Sequence, residues 1–303
     1  MLLDLFLFSA CALIGVRLQL RDARAETLRD RIWRLNYVAL IPIAAAYAFL
    51  TIELNQALLA TITCALVAWW LTVLLAGGYA RLVSPTRPMR GALWLVGAFP
   101  NTGFLGFPLA YLAFGTEGLR LAVVYDQISL VIPAIVVSNV IARRHSSALD
   151  APAPSVLREL VTSPPLWSVA VLMTVRATVL PEPLELPGLG TIVGTVVGSV
   201  GFLLLGLSMP LHDFTHDRRE TLLTSGAMSV RLLVAPALVW LVAGIAGVDV
   251  PSAIYLIAAM PTAFHALIVA RRYSLEVAVL RLGVLVTSVI MIAVTVIGTL
   301  VAS

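Results

Sequence analysis

Across 303 residues the chain is 60% apolar and 12% charged, with a mean hydropathy of +0.99. A soluble domain of this length cannot hide so much apolar surface, so the composition excludes a water-soluble enzyme or binding module and indicates a polytopic membrane protein. All twenty basic residues are arginine, and the net charge of +4 comes with no aromatic-interleaved basic patch, which argues against a nucleic-acid partner.

In chain order, hydropathy places spans at about 2–18, 36–52, 58–80, 92–114, 119–142, 164–181, 189–209, 221–246, 252–271 and 276–301, each near the roughly 20 residues that a bilayer requires. The first has no basic leader and no small-residue cleavage site ahead of its arginines, so it reads as a retained helix and not a signal peptide. Cys11 and Cys64 fall in apolar runs without CxxC spacing and read as small core residues. Gly190, Gly194 and Gly198 form a small-residue face in span seven, suited to close helix packing or to part of a dimer contact. His212 and His216 have i, i+4 spacing but no glutamate between them, and they lie in a charged loop, so no metal site is expected. No cofactor motif is visible.

Sixteen arginines fall in the connections after spans one, three, five, seven and nine, against Arg120 and Arg176 in the other set. The positive-inside rule therefore puts the odd connections in the cytoplasm and both termini outside a bacterial inner membrane. Five spans per half is an odd number, so the halves 1–142 and 164–303 enter the membrane from opposite sides. The Pro-rich stretch 143–163 links them. The expected fold is thus all-α, ten transmembrane helices arranged as two inverted five-helix repeats.

Spans four and nine are interrupted. Gly97-Ala98-Phe99-Pro100-Asn101-Thr102-Gly103-Phe104-Leu105-Gly106-Phe107-Pro108 sets two prolines and three glycines, counted from Gly97 to Gly106, inside an apolar run, and Ala259-Met260-Pro261-Thr262-Ala263-Phe264-His265 repeats the device. Proline removes a backbone donor and clashes with the preceding turn. Lipid cannot satisfy the freed groups, so such breaks belong where they are buried in protein or line a cavity. Both are followed by a short half-helix, a polar turn with Glu117 or Glu276, and a long helix carrying Ser129 or Ser288 twelve residues later. Paired interruptions at matching positions of two halves point to a transport site.

The half-helices that begin after Pro100 and Pro261 would aim backbone N–H groups and positive dipole ends at their crossing, a setting suited to an anion. Asn101, Thr102 and Thr262 are N-cap residue types, so capping is one role for them and substrate contact another. Gly103 and Ala263 complete the two breaks. His265, one turn into the second half-helix, reads either as a satisfied core histidine or as a substrate or proton ligand. Asp126 is the only carboxylate deep in a span, and a charge there costs at least about 2.5 kcal/mol. It is expected either to pair structurally with Arg281 or to carry a coupling proton. Gln127 could add an oxygen to a cation site, and Arg231 is placed to meet the anion or a helix C-terminus. Neither G-x-S-x-G, H-E-x-x-H nor a Walker motif occurs, so neither an enzyme nor an ATP-driven pump is expected.

Pro100-Asn101-Thr102-Gly103-Phe104-Leu105-Gly106-Phe107-Pro108-Leu109, with Gly201-Phe202-Leu203-Leu204-Leu205-Gly206-Leu207-Ser208-Met209, Val230-Arg231-Leu232-Leu233-Val234-Ala235-Pro236 and Ala259-Met260-Pro261, resembles the auxin efflux carrier family. That family includes the plant PIN proteins and bacterial malonate or malate carriers. The resemblance implies the fold shared with bile-acid and sodium/proton antiport carriers: a scaffold of spans one, two, six and seven, a core of spans three to five and eight to ten that moves as an elevator, broken helices crossing at the substrate site, and homodimers formed through the scaffold. The expected ligand is a small organic anion such as malonate, malate or an auxin-like acid. This chain lacks the long central cytoplasmic loop of the plant proteins.

Overall fold

The structure is a computed structural model that describes residues 2–21, 24–147, 155–211 and 217–302. His212 and His216 lie outside the described residues, as does part of the 143–163 linker. The described residues are mostly helical, with no named strand. Seven helical stretches, 2–21, 25–51, 56–83, 102–145, 189–208, 218–246 and 277–301, are long and apolar enough to cross a membrane.

The first stretch is α1 (Leu2–Arg21). The second is α2 (Ala25–Leu35) running through a π-helical turn, Asn36–Leu40, into α3 (Ile41–Thr51). Hydropathy alone started this span at 36, because Arg29, Arg31 and Arg34 depress the average. The segment is nevertheless helical, with Arg31 and Arg34 exposed while Trp33 is partly covered. Helix α4 (Gln56–Val83) starts at Asn55, whose side chain accepts a hydrogen bond from Leu58 N. Helix α5 (Arg87–Ala98) starts at Thr86 in the same way, with proline in its first turn.

After α5 come a π-helical turn, Thr102–Gly106, then α6 (Phe107–Tyr125), a second π turn, Asp126–Leu130, and α7 (Val131–His145). Two helical stretches meet inside α6 at Gly115, whose φ of 64° and ψ of −151° suit a residue without Cβ. This bend falls at the polar turn that the sequence places between spans four and five. The short α8 (Val156–Val161), α9 (Pro164–Thr178) and α10 (Leu189–Ser208) follow. Then come α11 (Arg218–Ser229), a π turn, Val230–Val234, and α12 (Ala235–Ala246), which ends on Gly247 in the left-handed region. The chain closes with α13 (Ser252–Ala258), α14 (Phe264–Arg272) and α15 (Val277–Ala302).

Helix α10 packs against α1, α3 and α6 through its glycines. A Cβ on Gly198 would lie 1.9 Å from Phe8, one on Gly194 2.5 Å from Tyr111, and one on Gly190 2.1 Å from Tyr47. Each glycine is therefore a socket for a ring. Phe8 is fully buried and stacks on Phe202 at 5.4 Å. The glycine face is thus filled from within the protomer, which removes it as a dimer contact. Replacing Gly198 with valine is expected to force Phe8 out of its rotamer and destabilise the protein by about 1–3 kcal/mol. A thermal melt of the detergent-solubilised variant checks this, and an unchanged midpoint would show that the socket can relax.

Candidate functional site

Helix α5 stops because Pro100 cannot continue it and holds the preceding residue out of helical geometry: Phe99 has φ −107° and ψ 113°. Helix α13 stops at Ala258, with Ala259, at φ −84° and ψ 1°, and Met260 between it and Pro261, and Ala263 opens α14 with extended geometry. The two extended segments pair antiparallel at Pro100 and Thr262. Asn101 N donates to Pro261 O at 2.6 Å, and Ala263 N donates to Phe99 O at 2.9 Å. Backbone groups freed by one proline are therefore satisfied by the other break, which is how irregular chain survives in an apolar interior.

The C-terminal ends of α5 and α13 converge on one side chain. Arg231, 1% exposed, donates from Nη1 to Ala98 O at 3.1 Å and from Nη2 to Ala258 O. Trp69 Nε1 also donates to Ala98 O, at 3.0 Å. Of the two roles open to Arg231, this structure gives it the helix C-terminus, and the anion-contact role is not what the geometry favours. The cation neutralises the negative ends of two helix dipoles at once.

Thr262 is also structural. It is fully buried, its Oγ1 donates to Val96 O at 3.0 Å, and its N–H donates to Thr287 Oγ1 at 3.0 Å. Neither Pro261 nor Thr262 lines the cavity described next, because the antiparallel pairing turns them toward α5 and α15. Both were expected to contact substrate. Matching positions in the two breaks thus face different surroundings.

The opposite side of the crossing is open. A cavity of about 380 Å³ has Pro100, Asn101, Thr102, Gly103 and Ala263 at its floor, with Asp126, Gln127 and His265 on its walls. Aromatic rings line it: the ring centroids of Trp33 and Phe104 lie 6.5 Å apart, and those of Phe104 and Phe264 6.3 Å apart. The cavity extends to Glu159 and Arg272, at the end of the molecule where the arginine-rich connections lie. A larger cavity of about 880 Å³, lined by Glu53, Glu117, Arg120 and Asp249 among others, contains none of the predicted site residues.

Asn101 is 3% exposed. Its Oδ1 accepts from Phe104 N at 3.3 Å, capping the turn, while its Nδ2 is buried without a partner. A buried donor without a protein acceptor is uncommon and calls for an explanation, and Gln127 Oε1 on the same cavity is an acceptor in the same position. Thr102 Oγ1 donates to Asp126 Oδ1, and Gln127 Nε2 donates to Asp126 Oδ2 at 2.8 Å. The Asp126 to Arg281 ion pair is not among the described salt bridges, and Arg281 does not line the cavity. Superposing the repeats in sequence placed Arg281 one turn from Asp126, but that register says nothing of where α15 points its side chains. His265 sits 3.0 Å from Ser138 Oγ.

The chain matches the family described as membrane transport protein over residues 35–298. It belongs to that family, the auxin-efflux-carrier-like transporters. An uncharacterized transporter of Methanothermobacter thermautotrophicus is 29% identical over 217 residues, 68% of each chain. In a membrane transport protein, a cavity ending on two paired helix breaks is the natural place for cargo.

Residues that the sequence did not single out also shape the site. Trp33 and Tyr37 were hidden because the former fell in an assumed connection. Phe104 and Phe264 lie inside the two broken segments, where the residue pattern gives them no separate role. Thr287 neighbours Ser288, which drew attention, yet it is Thr287 that holds the second break.

Proposed function

We propose that the chain is a secondary carrier of a small organic anion that works by alternating access. The observation that carries this reading is the unpartnered Asn101 Nδ2 on the floor of a cavity built on the paired breaks. A carboxylate would accept from that donor. It would also meet the start of the helical segment at Thr102, where backbone N–H groups and the dipole favour negative charge.

Ten spans in two inverted halves, 1–142 and 164–303, follow if α5 with the first part of α6 makes one crossing and α13 with α14 another. The scaffold would be α1, α2–α3, α9 and α10, and the moving core the remaining long helices. The arginine bias puts the open cavity on the cytoplasmic side of a bacterial inner membrane, with both termini outside. A homodimer through the scaffold completes the proposal. A membrane potential negative inside favours exit of a monoanion by about 2.3 kcal/mol per 100 mV, so export needs no coupled ion. Saturable exchange of labelled organic acids in proteoliposomes, unaffected when choline replaces sodium at fixed potential and pH, is the expected result. Flux that grows without saturation would favour a channel, and loss of transport in choline would overturn sodium independence.

A second reading, proton-coupled uptake, is favoured by the position of Asp126 on the cavity wall with only neutral hydrogen-bond donors described around it. If Asp126 carries the proton, Asp126→Asn is expected to flatten the pH dependence of transport. Transport by that variant that keeps the wild-type pH profile would make the carboxylate structural.

A further inference from the structure

The cavity mouth holds an arrangement that the crossing does not require. Arg272, the last residue of α14, is the only arginine among the described residues lining the cavity, and its Nη1 lies 2.5 Å from Glu159 Oε1. The other carboxylate oxygen of Glu159 accepts from Asn139 Nδ2 at 3.3 Å. Asn139 belongs to α7, is 2% exposed, and is fixed in orientation: Tyr273 Oη donates to its Oδ1 at 3.0 Å, and its Nδ2 also donates to Ile135 O at 2.8 Å. One guanidinium and one oriented amide thus face the same carboxylate, as a site for an organic acid would.

The two sides of this contact differ in how firmly they are built. Asn139 and Tyr273 are buried in the helical body, whereas Glu159 comes from α8, six residues long and without a buried side chain. The side chains of Arg272 and Glu159 are 40% and 28% exposed. An ion pair this open adds little to stability and exchanges readily. The receiving groups stay in place without Glu159, and Glu159 can leave at small cost.

We infer that Arg272 and Asn139 form a carboxylate-binding station at the cavity mouth, occupied here by the chain's own Glu159, and that an incoming substrate carboxylate displaces Glu159 before descending to Asn101. This rests on the anion-carrier reading and adds to it a second binding position and an internal competitor. Glu159 acts as a tethered stand-in for the cargo, so the mouth is closed when no anion is present and opens by exchange of one carboxylate for another.

The test uses the full-length protein in proteoliposomes, with labelled malonate and labelled benzoate as probes. Glu159→Gln is expected to lower the half-saturating concentration of the transported probe about tenfold, the scale of one hydrogen bond to a charged group. Arg272→Gln is expected to raise it by a similar factor. Adding Glu159→Gln to Arg272→Gln should then bring no further gain, since the competitor has lost its station. Both positions are partly exposed, and unchanged melting temperatures will confirm folding. A Glu159→Gln protein that saturates at the wild-type concentration, or one that gains equally in the Arg272→Gln background, overturns the station while leaving the carrier reading standing. A wild-type protein that transports neither probe overturns the station, and with it the carboxylate chemistry on which the carrier reading depends.

Discussion

Arg231→Met is expected to lower the stability of the protein by about 3 kcal/mol, the largest loss from any single substitution argued for this chain. The guanidinium is 1% exposed and bonds the carbonyls of Ala98 and Ala258, so its removal leaves the ends of α5 and α13 without their shared donor. Ala98 O keeps its bond from Trp69, which limits the damage at α5. Each helix C-terminus is equivalent to roughly half a negative charge, so two of them balance one cation. Methionine supplies the volume without the charge or the fork. Arg231→Lys should recover part of the loss, because a point charge restores the field but cannot reach two carbonyls with planar geometry. Thermal unfolding in detergent, with size-exclusion profiles, reads both variants. A methionine variant that melts with the wild type would show that the crossing needs no cation.

The largest effect on activity is expected from Asn101→Ala, with transport efficiency falling by about ten- to a hundredfold while the melting temperature stays near wild type. The two outcomes separate because the side chain has two ends. Its Oδ1 caps a turn, a contribution of about 1 kcal/mol that alanine forfeits. Its Nδ2 has no partner, so losing it relieves a buried donor in the empty protein and removes a contact only when an anion is bound. Thr102→Val is expected to act in the same direction, through loss of the hydrogen bond to Asp126. Uptake or exchange of labelled organic acids at matched protein density is the measurement. Unchanged half-saturation in both variants would reduce Asn101 to a cap and Thr102 to a structural partner of Asp126.

Much of this site was legible because prolines in an apolar run leave few options. Breaks at Pro100 and Pro261, their kinship and their meeting could be read from residue types and matching distances. Partners across the interior could not. The role of Arg231 depends on two helix ends 133 and 27 residues away in sequence. Thr262 has the same residue chemistry as Thr102, yet it was lost to the cavity because antiparallel pairing gives the two breaks opposite faces. The helical start of the second span was obscured by its arginines, since a hydropathy average cannot tell an exposed polar stripe from a connection. Trp33, and with it part of the aromatic lining of the cavity, went unseen for that reason.

The two-strand contact between the breaks acts as a rivet. With Asn101 N on Pro261 O and Ala263 N on Phe99 O, neither break can lengthen, shorten or slide without shearing the other. Four half-helices are thereby joined at one point, on the floor of the cavity. In the proposed carrier, one half-helix bending away from its partner would break both of these hydrogen bonds. A shift of the joined unit against its surroundings, the movement that the carrier reading proposes, would leave them intact.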